Sequence, residues 1–132
     1  MTYTEHFQKI VEDQLARVEK LKNSSPVPDF AAKEKIIIGT IDGDGIGPVI
    51  MDSCRAILEK LLADDIASGK IELRKIEGLT IENRIAKMKT VPADVLAAIK
   101  ECDLLLKGPT TTPGKGDNLP NIESANVTLR RE

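Results

Sequence analysis

The first twenty or so residues carry apolar side chains at helical spacing. Thr2 and Glu5 have the spacing of a capping box. The apolar positions that follow at intervals of three or four are Phe7, Ile10, Val11, Leu15, Val18 and Leu21. This pattern predicts an amphipathic helix, which two prolines among short polar side chains end. We therefore interpret residues 1–30 as an N-terminal helix and linker that precede the main body of the chain.

Beyond the linker, strand patterns alternate with helix patterns. The predicted strands cover residues 36–41, 71–76 and 103–107. The predicted helices follow Pro48, Pro92 and Ser124. The β-branched run at 36–41 is typical of a strand covered on both faces, and residues 81–88 fit a helix or an irregular segment equally well. Strands that alternate with helices indicate an α/β fold with a partial parallel sheet and flanking helices.

Composition excludes several classes of function. The chain has 132 residues, of which 41% are hydrophobic and 30% charged, as in a soluble globular domain. A net charge of -2 and the near absence of aromatic residues exclude a nucleic-acid partner. We see no signal peptide and no membrane span, so we expect a cytoplasmic protein. Cys54 and Cys102 lie far apart in apolar patterns and are predicted to be half-buried free thiols.

Two loops follow predicted strands and are candidates for chemistry. In an open parallel sheet, ligands bind beyond the carboxyl ends of the strands, so residues 42–47 and 108–113 are expected to line one crevice. The first loop lacks the spacing of dinucleotide and phosphate loops. It also fails as a calcium loop, since Ile46 and Ser53 occupy ligand positions. Taken alone, its glycines favour tight backbone curvature over the close approach of a ligand.

The last predicted helix carries a polar set with two interpretations. Ser124 suits the N-cap position, and Asn126 and Arg130 lie four residues apart on one helical face. A hydroxyl, an amide and a guanidinium fork in that arrangement can converge on a carboxylate, which Arg130 would bind in bidentate fashion. On these residues alone, a capped helix with solvated arginines is the favoured interpretation.

Three motifs in order resemble one known family. They are D-G-I-G-P at 44–48, K-G-P-T-T-T-P at 107–113 and S-A-N-V-T-L-R at 124–130. Their sequence and approximate spacing resemble those of the isocitrate/isopropylmalate dehydrogenase family, the β-decarboxylating dehydrogenases, over residues 33–132. The resemblance implies the N-terminal portion of that fold, with residues 31–132 as an incomplete large dehydrogenase domain.

The resemblance also implies roles for residues near the substrate. Ser124, Asn126 and Arg130 match the positions that bind isocitrate carboxylates, and Lys107 resembles the lysine near the substrate. Isopropylmalate-type enzymes need an apolar pocket where Ser124 and Asn126 stand, so isocitrate is the expected substrate. 3-Isopropylmalate or a related 2-hydroxy acid is the alternative.

For the cofactor, the resemblance implies NAD or NADP with Mg²⁺ or Mn²⁺. Thr111 and Thr112 resemble the threonines beside the nicotinamide ribose and ring, and Ile46 would lie near the cofactor. In the family, the catalytic acid–base groups and the metal ligands lie beyond the position of Glu132, so none is expected in this chain.

The resulting hypothesis is the N-terminal portion of a decarboxylating dehydrogenase that is inactive alone. Its expected partners are a C-terminal part, in the same or a separate chain, and further copies in a homo-oligomer. One alternative is a small non-catalytic subunit or binding module that completes a substrate site with a second chain. Another is a structural domain that has lost ligand binding.

Overall fold

A computed structural model describes residues 2–23, 28–114 and 116–132. The chain divides into two compact units, the first ending at Ala32 and the second beginning at Lys33.

The first unit consists mainly of helix α1, Tyr3–Lys22. Its capping box has the predicted form. The Thr2 hydroxyl accepts from the Glu5 amide at 3.3 Å, and the Thr2 amide donates to the Glu5 carboxylate at 2.7 Å. These bonds satisfy two amides that the first helical turn leaves without intrahelical partners. The predicted N-terminal helix is confirmed, whereas the linker residues 24–27 lie outside the described residues.

The second unit contains a parallel sheet. Its strands are β1 (Ile36–Ile41), β2 (Ile71–Lys75) and β3 (Leu104–Lys107), in the order β2-β1-β3. In the register, Ile38 of β1 lies beside Leu73 of β2 and Leu104 of β3. The α/β fold with a partial parallel sheet is therefore confirmed. Because β1 lies between two parallel neighbours, the carboxyl ends of the three described strands meet at one edge.

Short helices connect and follow the strands. They are α2 (Gly47–Leu61), α3 (Ala63–Ala67), α4 (Ile81–Ala86), α5 (Ala93–Lys100) and α6 (Ala125–Arg131). The helix predicted after Pro48 is broken at Leu62, whose φ of -108° and ψ of 19° leave the helical range. The ambiguous segment forms α4, with Thr80 as its N-cap accepting from the Asn83 amide at 3.4 Å.

The core lies at the carboxyl end of β1. Its buried members are Ile41, Ile76, Leu79, Val91, Val95 and Ala125. Only the second half of β1 is fully buried, so the expectation of a strand covered on both faces holds for Gly39–Ile41 and not for Ile36–Ile38. Ala125 brings the start of α6 into this core, which places the last motif beside the loop edge of the sheet.

Two further sequence expectations concern membranes and thiols. Among the described residues, no helix is both long and apolar enough to cross a membrane. Cys54 and Cys102 are free and half-buried, as predicted, and burial raises the pKa of the Cys102 thiol.

The paired carboxylates predict loss of stability in acid. Hydrogen bonds from Arg74 and Lys35 lower the pKa of Glu72 from 4.5 to about 2, and Lys33 lowers the pKa of Asp103. A carboxyl whose pKa is lowered in the folded state stabilises the fold at any pH above its ordinary, unfolded pKa. This stabilisation is lost as the pH falls through the pKa of the folded state. We expect the urea midpoint to fall between about pH 4.5 and about pH 2. A urea midpoint that does not change with pH would contradict this explanation, and so would the same pH dependence in Glu72→Gln as in the wild type.

The outer side of β3 predicts self-association. Leu104 and Leu106 are 48% and 36% exposed, and no further described strand pairs with the outer edge of β3. Exposed, apolar edge strands recruit other chains. We expect the chain to form oligomers in light scattering and Leu106→Lys to reduce them. Leu119→Lys, which changes a similarly exposed leucine outside the strand, is the control and should leave association unchanged.

Candidate functional site

The loops that follow β1 and β3 contact each other through their backbones. The Asp44 amide donates to the Pro109 carbonyl at 2.8 Å. Gly43 and Gly45 have φ values of 76° and 58°, in the left-handed region that favours glycine. A Cβ on Gly43 would overlap the Pro109 carbonyl oxygen. The first loop therefore needs its glycines for curvature and for contact with the second loop, and the expectation that the two loops meet is confirmed.

The Asp44 carboxylate joins three chain segments. One oxygen accepts from the Ile81 amide at 2.8 Å, at the start of α4. The other accepts from the Thr111 amide at 2.7 Å, in the loop after β3. Hydrogen bonds to an ionised acceptor are stronger than neutral ones, so one side chain fixes the β1 loop, α4 and the β3 loop together.

Arg84 is a fully buried cation on α4. Each guanidinium nitrogen donates to a backbone carbonyl: Nε to Thr90 at 2.8 Å, Nη1 to Thr111 at 2.7 Å and Nη2 to Glu123 at 2.9 Å. Burial lowers the pKa of Arg84, and the charge of Asp44 opposes that shift. A guanidinium stays charged in proteins, so Arg84 is a permanent positive charge held by oriented carbonyl dipoles.

Lys107 ends β3 beside this cluster. Its ammonium donates to the Gly108 carbonyl at 2.6 Å and to the Thr110 hydroxyl at 3.2 Å. Burial lowers the pKa of Lys107, the charge of Asp44 opposes the shift, and Arg84 adds to it. Two cations, Arg84 and Lys107, and one carboxylate, Asp44, thus influence one another electrostatically at the carboxyl end of the sheet.

The last motif lies at the start of α6. Ser124 occupies the predicted N-cap position, with its carbonyl accepting from the Val127 amide at 3.1 Å. Its hydroxyl, however, makes no capping hydrogen bond to the backbone of α6. Asn126 and Arg130 are exposed and lie one helical turn apart. Their side chains are therefore accessible to a ligand.

The residues predicted to bind the cofactor are exposed on the two loops. Ile46 is 65% exposed and precedes α2, and Thr111 and Thr112 are exposed after β3. Asp44 connects the Ile46 loop to Thr111, and Arg84 connects Thr111 to the residue before Ser124. The structure thus brings the segments of all three motifs together.

Two observations limit what these segments form by themselves. A cavity of about 380 Å³ lies between the first loop and the segment after β2, where Asp42, Gly43, Pro48 and residues 75–80 line it. None of the predicted site residues lines that cavity. Within the described ranges, no group of three or more His, Cys, Asp and Glu side chains is placed to hold a metal ion.

Sequence reasoning missed the joining roles of Asp44 and Arg84. Asp44 is predicted only as part of the first loop and of the motif at 44–48, and Arg84 lies in the segment that fits a helix or an irregular structure equally well. A local signal for α4 existed, because Thr80 has the residue type and position of an N-cap before Ile81. That signal predicts the helix but not the distant carbonyls that Arg84 reaches.

The profile of the family described as isocitrate/isopropylmalate dehydrogenase matches residues 37–132. The isocitrate dehydrogenase [NADP] of Coxiella burnetii is 38% identical over 104 residues, covering 75% of this chain and 23% of that protein. Its counterpart from Caldococcus noboribetus is 35% identical over 121 residues, covering 90% and 25%. The mitochondrial isocitrate dehydrogenase [NAD] subunit 2 of Kluyveromyces lactis is 29% identical, covering 95% and 32%. No solved structure matched the chain.

The Asp44 contacts predict a measurable stability loss. Asp44→Asn keeps the size of the side chain but leaves one of the two amides facing an NH₂ group. A lost charged hydrogen bond with an unsatisfied amide costs about 2 kcal/mol in the free energy of unfolding. Asp52→Asn is the control, because Asp52 is 73% exposed in its ion pair with Arg55 and should change stability by less than about 1 kcal/mol. Urea denaturation measures both, and equal effects would refute the joining role.

Proposed function

Because the chain belongs to the isocitrate/isopropylmalate dehydrogenase family, we propose that it contributes to the NAD- or NADP-dependent oxidative decarboxylation of isocitrate to 2-oxoglutarate. The observation that carries this proposal is the joining of the three motif segments through Asp44 and Arg84. Relatives named isocitrate dehydrogenase [NADP] and isocitrate dehydrogenase [NAD] support isocitrate as the substrate. Because both nucleotides occur among these names, the proposal includes NAD and NADP as alternatives.

In this proposal, α6 binds the carboxylate end of the substrate. The Ser124 hydroxyl, which caps no amide, donates to a carboxylate oxygen, and the exposed Asn126 amide adds a second donor. Arg130, one turn further along α6, supplies a planar fork whose two N–H groups match a carboxylate. A serine and an asparagine suit a carboxylate better than an isopropyl group, which favours isocitrate over 3-isopropylmalate.

Lys107 and the threonine loop form the other side of the proposed site. Lys107 is half-buried, and its ammonium donates to the Gly108 carbonyl and the Thr110 hydroxyl. Because both of these acceptors are uncharged, they do not neutralise the positive charge that Lys107 adds to the proposed site. Thr111, Thr112 and Ile46 offer exposed groups for a nicotinamide ribose and ring. The nucleotide, when bound, supplies a hydride acceptor for the 2-hydroxyl carbon, and the residues of this chain orient the substrate beside it.

The metal is proposed to be held by other residues. Mg²⁺ or Mn²⁺ is the expected cofactor, but the described residues do not assemble a set of ligands for it. We therefore assign no metal ligand and no metal-dependent step to this chain. Its proposed part in catalysis is to bind and orient the substrate.

The chain spans between 17% and 32% of the length of the curated relatives that it matches. We propose that a C-terminal part, in the same chain or a separate one, supplies the acid–base groups, and that residues 1–132 do not oxidise isocitrate alone. The second candidate is a small subunit that completes a site with another chain, and a relative named as subunit 2 of an enzyme supports assembly with a further chain. Homo-oligomerisation stays a prediction.

The proposed carboxylate site can be tested by introducing a negative charge. In an active assembly, Ser124→Asp places a carboxylate where the substrate carboxylate binds. Two like charges about 4 Å apart repel by roughly 4 kcal/mol at an effective dielectric of about 20, which is about a thousandfold in affinity before relaxation and screening. Steady-state assays should show a large rise in the KM for isocitrate, with thermal melting preserved because an acidic N-cap suits a helix.

Arg130→Lys provides the graded comparison for Ser124→Asp. It keeps the charge and loses only the bidentate fork, so we expect a smaller rise in KM. An unchanged KM for isocitrate in Ser124→Asp would leave the serine as a purely structural residue. Activity of residues 1–132 by themselves would refute the proposed need for a further part.

A further inference from the structure

The backbone of Thr111 is hydrogen-bonded to charged side chains at both its amide and its carbonyl. Its amide donates to Asp44 at 2.7 Å, and its carbonyl accepts from Arg84 at 2.7 Å. Thr111 itself is exposed, while Arg84 is fully buried. Thr111 is therefore an exposed residue whose backbone Asp44 and Arg84 fix in place.

The same guanidinium reaches the segment that carries the proposed substrate serine. Nη2 of Arg84 donates to the carbonyl of Glu123 at 2.9 Å, and Glu123 directly precedes Ser124. One rigid, planar group thus bonds the backbone of the threonine loop and the backbone that enters α6. The distance between those two backbones is set by the geometry of the guanidinium rather than by a flexible loop.

We propose that Arg84 is a positioning residue, which fixes the threonine loop at Thr111 relative to Ser124 and so aligns the two sides of the proposed active site. This inference rests on the proposed function, because Thr111 and Ser124 are assigned there to the cofactor and the substrate. It adds a residue that none of the three family motifs contains.

The free-energy cost of burying the Arg84 cation explains why this position requires an arginine. Burying a cation is expensive unless it is hydrogen-bonded, and here each of the three guanidinium nitrogens donates to a carbonyl from a different segment. A lysine at this position keeps the charge, but its single ammonium cannot span the same three carbonyls with fixed geometry. Arg84→Lys therefore removes the alignment and retains the cation.

A double-mutant cycle separates positioning from a general loss of stability. In the active enzyme that includes this chain, we compare Ser124→Ala with the wild type and with Arg84→Lys, using the KM and kcat for isocitrate. A misplacement of about 1 Å costs up to a hundredfold in rate. We expect Arg84→Lys to reduce kcat/KM by about ten- to a hundredfold, and Ser124→Ala to have little further effect in that background.

Each outcome of the cycle bears on one proposal. If Ser124→Ala reduces kcat/KM by the same factor in both backgrounds, Arg84 does not act through Ser124 and the positioning role is overturned. If Ser124→Ala changes nothing even in the wild type, the proposed substrate site fails instead. Thermal melting is measured first, and Arg84→Gln replaces Arg84→Lys if the lysine variant does not melt cooperatively.

Arg74→Lys is the matched control for the arginine substitution. Arg74 lies on β2, where it forms ion pairs with Glu72 at 2.7 Å and Glu101 at 3.0 Å and is partly exposed. The same chemical change there should leave kcat/KM within about twofold of the wild type, because surface ion pairs contribute little. A loss comparable to that of Arg84→Lys would overturn the specific role of Arg84.

Discussion

The arrangement of the site depends on the satisfaction of one buried cation. The Arg84 guanidinium lies where water cannot solvate it, so its donors must find acceptors within the protein. They find carbonyls of Thr90, Thr111 and Glu123, which belong to segments far apart in sequence. Each of those segments is irregular, so its carbonyls are not used by a sheet. The need to satisfy Arg84 therefore orders loops that secondary structure alone would leave undetermined.

The parallel sheet makes this arrangement possible. With β1 between β2 and β3, the loops at the carboxyl ends of the described strands leave from one edge. Backbone contact between the first loop and Pro109 then brings Asp44 within reach of the Thr111 amide. Asp44 binds the amide of Thr111 and Arg84 binds its carbonyl, so the two peptide units that flank the Thr111 Cα are both fixed. Topology places the segments near each other, and two charged side chains fix them.

The sequence predicted much of this fold because local patterns determine it. The β-branched run of β1, the capping box before α1 and the proline before α5 each signal their element within a few residues. The break at Leu62 was missed because apolar spacing continues through it. Arg84 was missed for a different reason: its acceptors are backbone carbonyls, which every residue possesses and which leave no trace in side-chain pattern. The motif residues could be identified from sequence, whereas the group that holds their backbones together could not.

The residues of this site fall into two sets that differ in whether their hydrogen-bonding groups are used within the protein. Arg84 is buried and satisfied by the protein, and Asp44 uses both carboxylate oxygens on backbone amides. Asn126 and Arg130, by contrast, are exposed, and the Ser124 hydroxyl caps no amide of its own helix. A group that binds a ligand needs donors or acceptors that are not already bonded within the protein, whereas a group that orders a loop forms its hydrogen bonds with that loop. Substitutions of Arg84 or Asp44 are therefore expected to act on the proposed site through backbone geometry, whereas those of Ser124, Asn126 or Arg130 are expected to act through direct contact with the ligand.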